Sequence, residues 1–341
     1  MADRIESRKM RWLDFMNPEK PARNLFQIDF TDGPVRPWPH PDNIRDRIDF
    51  ALEQYQTQLQ ISEWLPDDRI PSLSVFTGTD IFAAAFGCPV HRSGKDMPFA
   101  LPLVHDAGEA ARLQEPDQSA EPLAILFSIA DELKRQAGAD ALLQMPDIQS
   151  PLDIAALIWE KSDFYVALLE EPDEVLALLA KIKTLLLAFF DTWFARYGSD
   201  YIAHYPYYFM RGGLTLSEDE VGAISSDLFR QYALPDLSEL SRHYGGLGVH
   251  CCANARHQWN GFLAIPGLRL LNLVQPPQRI REAFSYFVGK VCQMHSWCGD
   301  NEPWTWPDQL PANARAVLSV SAASHDEALR IAERMNRVCG R

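Results

Sequence analysis

The sequence has little positive charge and no long hydrophobic run. Its 32 lysines and arginines are outnumbered by 46 aspartates and glutamates, which gives a formal net charge of -14. Nucleic acids and anionic membranes both require a basic protein face, so neither is expected as a partner. The most apolar run, 185–190, is far shorter than the roughly 20 residues of a membrane-spanning helix. No membrane span is therefore predicted.

Cysteine is also sparse, and the N-terminus lacks the features of a secretory signal. Residues 1–16 mix charged and apolar side chains without the apolar core of a signal peptide. Six cysteines in a chain of 341 residues without such a signal are typical of reduced thiols. We therefore expect a cytoplasmic protein in which a functional cysteine binds metal rather than forming a disulfide.

Short apolar runs alternate with helical patterns along the whole chain. Eight strands separated by helices predict an α/β fold, a (β/α)8 TIM barrel, although a doubly wound sheet has the same alternation. We expect a single domain over 1–341, with an N-terminal extension (1–25) and an insertion over the barrel mouth (81–119). The predicted strands are 26–30, 72–76, 141–145, 201–209, 247–253, 268–274, 290–295 and 316–321. The predicted helices are 42–64, 121–137, 152–169, 173–197, 218–244, 255–263, 279–288 and 326–338.

The fifth predicted strand ends in a His-x-Cys pair, His250 and Cys252. Alternate side chains of a strand share a face, so these two residues should point the same way and Cys251 the other way. Imidazole nitrogen and thiolate sulfur are both good zinc ligands. Cysteine is also among the most buried residue types, so a purely structural role remains open.

Polar residues follow several of the other predicted strands. In a barrel the reactive groups lie at the C-terminal strand ends, so these residues are candidates for catalysis or binding. Each also has a structural interpretation, as a helix cap, a turn residue or part of an aromatic cluster. The catalytic candidates are Asp29, Asp147, His204, Tyr207, Arg211 and His295, and the cofactor-binding candidates are Tyr208, Asn272 and Trp304.

Several stretches resemble the uroporphyrinogen decarboxylase-like superfamily, which includes zinc- and corrinoid-linked methyltransferases. They cover most of the chain after about residue 70, and the resemblance implies a (β/α)8 barrel. The stretches are SPLDIAALIWEKSDFYVALLEEPDEVLALL (150–179), ISSDLFRQYALPDL (224–237), VHCCA, AIPGLRLLNL (264–273), GKVCQMHS and VLSVSAASHDEALRIAERM (317–335).

The sequence departs from each branch of that superfamily. The uroporphyrinogen decarboxylases resemble one another in an arginine-rich loop after the first strand, whereas this chain has Asp29 and Asp32 there. Those aspartates would repel a polycarboxylate, which disfavours haem-pathway decarboxylation. The methyltransferase branch takes a third zinc ligand, a cysteine, just after the last strand. Ser321 stands in that region here, so Cys298 or His295 would have to substitute.

The resemblance to the methyltransferases implies a mechanism and its partners. Zinc on His250, Cys252 and Cys298 would hold a substrate thiol as a thiolate. The thiolate would accept a methyl group from a corrinoid (cobalamin) carried by a partner protein. Asp147 or Tyr207 would position the acceptor, with aromatic side chains as walls. A small-molecule substrate is expected in the barrel mouth, and a homodimer is a further expectation.

Two other functions fit the sequence. One is a metal-free decarboxylase or lyase for a small carboxylated or tetrapyrrole-like substrate, with Arg211 holding the carboxylate and Asp29 or His204 transferring a proton. The other is a catalytically decayed barrel that binds a corrinoid protein. The missing third cysteine favours this last interpretation.

Overall fold

The computed structural model describes residues 2–31, 36–92 and 97–340. Asp32, in the loop after the first predicted strand, and part of the predicted 81–119 insertion lie outside them. The α-helices are α1 (Ala2–Met16), α2 (Ile44–Trp64), α3 (Ile81–Ala85), α4 (Ala107–Arg112), α5 (Glu121–Ala137), α6 (Pro151–Ile158), α7 (Lys161–Glu170), α8 (Pro172–Tyr197), α9 (Ser226–Leu228), α10 (Leu234–Tyr244), α11 (Trp259–Ala264), α12 (Pro277–Phe287) and α13 (His325–Val338).

The strands are shorter than the helices, and several contain only two residues. They are β1 (Leu25–Phe30), β2 (Ser72–Leu73), β3 (Val90–His91), β4 (Phe99–Ala100), β5 (Leu142–Leu143), β6 (Asp200–Ile202), β7 (Phe209–Arg211), β8 (Leu214–Ser217), β9 (Leu247–Cys251), β10 (Leu268–Leu273), β11 (Cys292–Gln293) and β12 (Val317–Ala322). Residues 220–222, 256–258, 303–305 and 307–309 form 3-10 turns, and 229–233 form a π-helical turn.

Parallel strands follow one another in chain order, as expected for an α/β fold with helical crossovers. A continuous parallel ladder joins β8, β9, β10 and β11, and β1 pairs with β12. Single parallel bridges connect Gln149 to Ser217 and Gln293 to Ala316. With the parallel β2–β5 ladder, these contacts give the order β2-β5-β8-β9-β10-β11-β12-β1. Ile202 of β6 also makes a parallel bridge to Gln144, the residue after β5.

Between β1 and β2 the described residues form no strand ladder, so the sheet is not a continuous closed ring. Side chains take the place of a neighbouring strand on this edge of β1. The backbone N–H groups of Phe26 and Ile28 donate to the carboxylates of Asp68 and Asp67, at 3.0 and 2.9 Å. These carboxylates satisfy backbone donors that would otherwise be buried without a partner.

The predicted fourth strand, 201–209, is a strand only at its two ends. Residues 200–202 and 209–211 form an antiparallel hairpin, and the strand that pairs with β9 is the later β8. Pro206 cannot donate to a ladder, and Tyr207 has a φ of 72°, so the chain turns here. The run of tyrosines around this turn resembles a strand in the sequence because aromatic residues favour strands.

Other departures concern helices. The predicted 152–169 helix is two helices, α6 and α7, and the predicted 218–244 helix contains a 3-10 turn, α9, a π-helical turn and α10. The N-terminal extension contains α1, which the sequence analysis did not predict. Trp12 and Phe15 of α1 are buried, with 1 % and 0 % exposure. Among the described residues, no helix combines the length and apolarity that a membrane crossing requires.

Candidate functional site

The His-x-Cys pair lies at the C-terminal end of β9. Leu247, Val249 and Cys251 are buried on one side of this strand, while His250 lies on the other side. Cys252 follows the strand and is exposed. Ligand atoms of His250 and Cys252 lie within 4.8 Å of each other, as the alternation of side chains predicts.

Asp219 is the third member of this group. It follows β8, the neighbour of β9, and its carboxylate oxygen lies within 4.8 Å of the ligand atoms of His250 and Cys252. Its Oδ1 accepts from the backbone N–H of Cys252 at 2.6 Å, and its Oδ2 accepts from the Cys252 thiol at 2.8 Å. Although Cys252 as a residue is exposed, burial around its sulfur and this hydrogen bond raise the pKa of the thiol to about 12.

Asn272 orients the imidazole of His250. Nδ1 of His250 donates to Oδ1 of Asn272 at 2.5 Å, and the Asn272 amide donates to the carbonyl of Met294. Asn272 is 1 % exposed, on β10. Because its Oδ1 can only accept, Nδ1 carries the proton and Nε2 keeps its lone pair for a ligand.

A layer of buried carboxyl groups supports the Asp219 loop. Asp153 accepts from the backbone N–H groups of Asp219 and Glu220 at 2.7 and 2.8 Å. Burial, followed by the charge of Asp219, raises the pKa of Asp153 to about 7. Glu218 is fully buried, and burial raises its pKa well above the usual value.

His204 and Asp147 form a second pair beside this group. Nε2 of His204 lies 3.6 Å from Oδ2 of Asp147. Ser217 and Gln149 both donate to Oδ1 of Asp147, at 3.3 and 3.1 Å. Burial lowers the pKa of His204, while the Asp147 carboxylate opposes that shift. The pair can accept or donate a hydrogen bond at neutral pH.

A cavity of about 1080 Å³ adjoins this pair, and His204, Tyr207 and Asp29 line it. The Asp29 carboxylate is paired with the guanidinium of Arg69. Tyr207 is 39 % exposed, and its backbone carbonyl accepts from Gln27 at 2.9 Å. The structure thus brings three of the catalytic candidates to one cavity, and His204 joins them to Asp147.

Three other candidates lie elsewhere. Arg211 makes a two-pronged ion pair with Asp200, at 2.7 Å for each bond, where β6 begins and β7 ends. Tyr208 is 1 % exposed and its ring lies near Trp12 of α1. His295 is 3 % exposed, and burial lowers its pKa to about 3. The side chains of these three residues therefore make contacts within the protein and do not line the cavity.

Both ring nitrogens of His295 already have hydrogen-bond partners. Its Nδ1 accepts from the backbone N–H of Leu273 at 3.0 Å, and its Nε2 donates to Gln293 at 3.0 Å. Of the described residues, neither His295 nor Cys298 belongs to the group around His250. The third donor is therefore Asp219, and not the Cys298 or His295 that the sequence predicted.

Trp304 packs under the guanidinium of Arg334 on α13, 4.2 Å from the ring centroid.

Sequence reasoning missed Asp219 because it missed β8. With 201–209 taken as the fourth strand and 218–244 as a helix, Asp219 looked like an acidic residue in the first turn of that helix. The available signal was the alternating apolar and polar run 214–217, directly followed by three acids. At the end of a parallel strand, that pattern places a carboxylate beside the ligands of the next strand.

The donor set offers one imidazole nitrogen, one sulfur and one carboxylate oxygen on neighbouring strand ends. This combination suits zinc, which accepts all three kinds of ligand. A metal bound there would replace the proton of the Cys252 thiol, which now donates to Asp219, so binding would release a proton. The residues present therefore fit a zinc ion.

Comparisons with known proteins concern the family and the fold of the chain. A search of curated proteins finds no match. Among solved structures, a methyltransferase from Methanosarcina mazei is similar with a TM-score of 0.64 and 10 % sequence identity, over 97 % of this chain and 98 % of that one. At that identity the likeness concerns the fold. Residues 72–273, more than half of the chain, match the family described as uroporphyrinogen decarboxylase (URO-D), and the protein therefore belongs to the URO-D family.

Proposed function

We propose that this protein is a zinc-dependent methyltransferase that moves a methyl group between a corrinoid on a separate protein and a small thiol. The observation that carries the proposal is the convergence of Asp219, His250 and Cys252 within 4.8 Å. The methyltransferase with a similar fold supports it as an analogy. The corrinoid carrier rests on the family resemblance alone.

The number of protein ligands favours catalysis over a structural role. Structural zinc sites are usually closed by four protein ligands, whereas catalytic sites have three and an open position. Here three side chains from the ends of β8 and β9 supply the donors, and Cys252 is exposed. An exposed open position would admit a substrate thiol.

The residues of the chain would have distinct tasks. Zinc, when bound, lowers the pKa of a thiol ligand so that sulfur is present as the nucleophilic thiolate. Asn272 fixes the tautomer of His250, and Asp153 holds the Asp219 loop through two backbone N–H groups. His204, steadied by Asp147, would position the acceptor at the cavity wall. The sulfur–carbon bond forms as the methyl–carrier bond breaks, and the carrier keeps that electron pair.

The two other functions have less support. The decarboxylase hypothesis needs Arg211 for a substrate carboxylate, and Nε and Nη2 of this residue already donate to Asp200. The decayed-barrel hypothesis rested on a missing third ligand, and Asp219 offers a third donor. Methyl transfer therefore accounts for more of the site than either alternative does.

Metal analysis tests the proposal directly. Native mass spectrometry of the wild-type protein should find about one zinc per chain, and His250→Ala should lose it because one donor is gone. Cys298→Ser is the matched control and should keep zinc, since this exposed cysteine lies outside the donor group. Zinc-free wild-type protein that cannot be reloaded, or equal zinc loss in both variants, would contradict the proposed site.

Asn272 gives a prediction for the ring that it orients. Asn272→Ala should weaken zinc binding about 10- to 100-fold, the usual effect of losing a partner that orients a metal ligand. Competition with a chromophoric chelator measures the change. Gln275→Ala, which removes a side chain that donates to the Cys252 carbonyl at 2.8 Å, is the comparison and should have the smaller effect. Equal affinities in wild type and Asn272→Ala would refute the orienting role.

A further inference from the structure

The cavity beside His204 has an aromatic wall. Trp38, Phe50 and Phe76 line it, with ring centroids 5.0 Å apart for Trp38 and Phe76 and 4.8 Å apart for Phe50 and Phe76. Trp38 is 64 % exposed although it lies on a cavity wall. A large exposed ring in a concave site typically marks a ligand-binding surface, because a ligand can cover its apolar face.

The wall is held in place by a buried cation. Arg47 is only 9 % exposed, and it donates to the carbonyls of Val75 and Phe76 at 2.9 and 2.8 Å. A third bond, of 3.1 Å, reaches the carbonyl of Pro41. Phe76 has a φ of 48°, an unusual conformation for a bulky residue. Backbone strain retained by surrounding bonds is typical of preorganised binding sites.

The charges of the described lining residues balance. Four arginines face four acids: Arg36, Arg47, Arg69 and Arg92 against Asp29, Asp42, Asp80 and Glu121. Three of the four arginines already form ion pairs. Arg36 pairs with Asp46 and Glu53, and Arg69 pairs with Asp29. Arg92 pairs with Asp42 at 3.3 Å. A polyanion would have to break these pairs, whereas an uncharged ligand would leave them intact.

The inner end of the cavity is polar and adjoins the metal-ligand group. His204 lines the cavity and lies 3.6 Å from Asp147. Tyr205, the next residue, places its ring centroid 5.0 Å from that of His250. A ligand lying on the aromatic wall would therefore present one end to His204, on the side of the proposed zinc site.

We infer that the cavity binds a flat aromatic molecule without net charge, whose polar substituent lies against His204. This inference rests on the proposed function, in which the bound molecule is the small thiol that exchanges a methyl group with the corrinoid carrier. A volume of about 1080 Å³ is at the upper end of ordinary small-molecule sites and accommodates a two-ring compound.

Three probes of similar size test the ligand class by isothermal titration calorimetry on protein that has been incubated with zinc. They are 2-naphthol, its saturated analogue decahydro-2-naphthol, and benzene-1,3,5-tricarboxylate. We expect 2-naphthol to bind at least tenfold more tightly than either of the others. Equal binding of the flat and saturated compounds, or tighter binding of the tricarboxylate, would overturn the inference.

Variants of Trp38 separate ring stacking from general hydrophobicity. Trp38→Leu should weaken 2-naphthol binding about tenfold, while Trp38→Phe should keep it within about threefold because a ring remains. Leu169→Ala, on α7 and 71 % exposed outside the cavity lining, is the control and should bind like wild type. Identical affinities in wild type and Trp38→Leu would refute the role of the aromatic wall.

Zinc content measured on the same samples separates this inference from the proposed function. Protein that binds 2-naphthol selectively but takes up no zinc would contradict the metal site and leave the ligand class standing. Protein that holds zinc but does not distinguish the three probes would contradict the ligand class alone. His204→Leu should remove the preference for 2-naphthol over naphthalene, because the partner of the hydroxyl is gone.

Discussion

Asp219→Ala is expected to weaken zinc binding at least 100-fold and to abolish methyl transfer. Asp219 supplies one of the three converging donors, and its two oxygens also accept from the backbone and thiol of Cys252. Its loss therefore removes a ligand and loosens the chain around a second one. Chelator competition and native mass spectrometry measure zinc, and a methylcobalamin-to-thiol assay measures transfer.

Two further substitutions at this position separate charge from shape. Asp219→Asn keeps an oxygen for the backbone N–H of Cys252 but loses the anionic ligand, so zinc binding should fall while the fold remains. Asp219→Cys offers a thiolate in place of the carboxylate and should retain zinc. If Asp219→Asn and wild type bound zinc equally, Asp219 would not be a ligand.

The metal-free protein gives an independent readout of the same contact. The Asp219 carboxylate contributes to the raised pKa of Cys252, so Asp219→Asn should lower that pKa and speed alkylation of the thiol at pH 8. Glu220→Gln is the matched control, because this neighbouring carboxylate accepts from Lys161 and Tyr165 instead. An unchanged rate in Asp219→Asn would show that the carboxylate does not act on the sulfur.

The alternation of strands and helices and the positions of the long helices could be predicted from the sequence. The predicted 121–137 helix coincides with α5, and the stripe of apolar residues in 173–197 gives α8. Periodicity succeeded there because each helix buries one face over many turns. The family assignment also agrees with the resemblance found in the sequence.

The sequence did not predict the structure where strands are very short, or where side chains rather than a neighbouring strand bond to the backbone. Strand β2 has two residues, and the edge of β1 is satisfied by the carboxylates of Asp67 and Asp68. No period of two residues can reveal such contacts. The hairpin that contains Tyr207 was predicted as the fourth strand, so β8 was not predicted. Asp219, which follows β8, was therefore not recognised as a candidate ligand. His250 and Cys252 were found because both lie at the end of β9, a regular strand of five residues.

The buried carboxyl groups had no signal in the sequence at all. Asp153 lies three residues after the helix-capping Ser150, a position where acids are common for local reasons. Its role in holding the Asp219 loop depends on a contact between α6 and a loop about 66 residues further along the chain. Such contacts follow from tertiary packing, which spacing within one segment does not encode.

Gly248→Ala is expected to destabilise the protein by about 3 kcal/mol, the upper range for overpacking a core. A Cβ at Gly248 would overlap the hydroxyl oxygen of Tyr208, and the ring carbon Cζ would lie 3.0 Å away. Tyr208 is fully enclosed and cannot swing aside. Urea unfolding followed by circular dichroism measures the change, and zinc affinity should fall too, since Gly248 is two residues before His250.

The double variant Gly248→Ala/Tyr208→Phe tests the cause of that loss. Removing the hydroxyl removes the overlapping atom, so the double variant should regain most of the stability that Gly248→Ala loses. Gly108→Ala, in α4, is the control: its nearest neighbours are flexible side-chain atoms of Asp106 and Arg112, at 3.1 Å or more, so it should change the free energy of unfolding little. A double variant no more stable than Gly248→Ala would mean that the backbone of β9, rather than Tyr208, requires glycine. In that case the position of His250 would depend on the strand itself and not on the tyrosine packed beneath it.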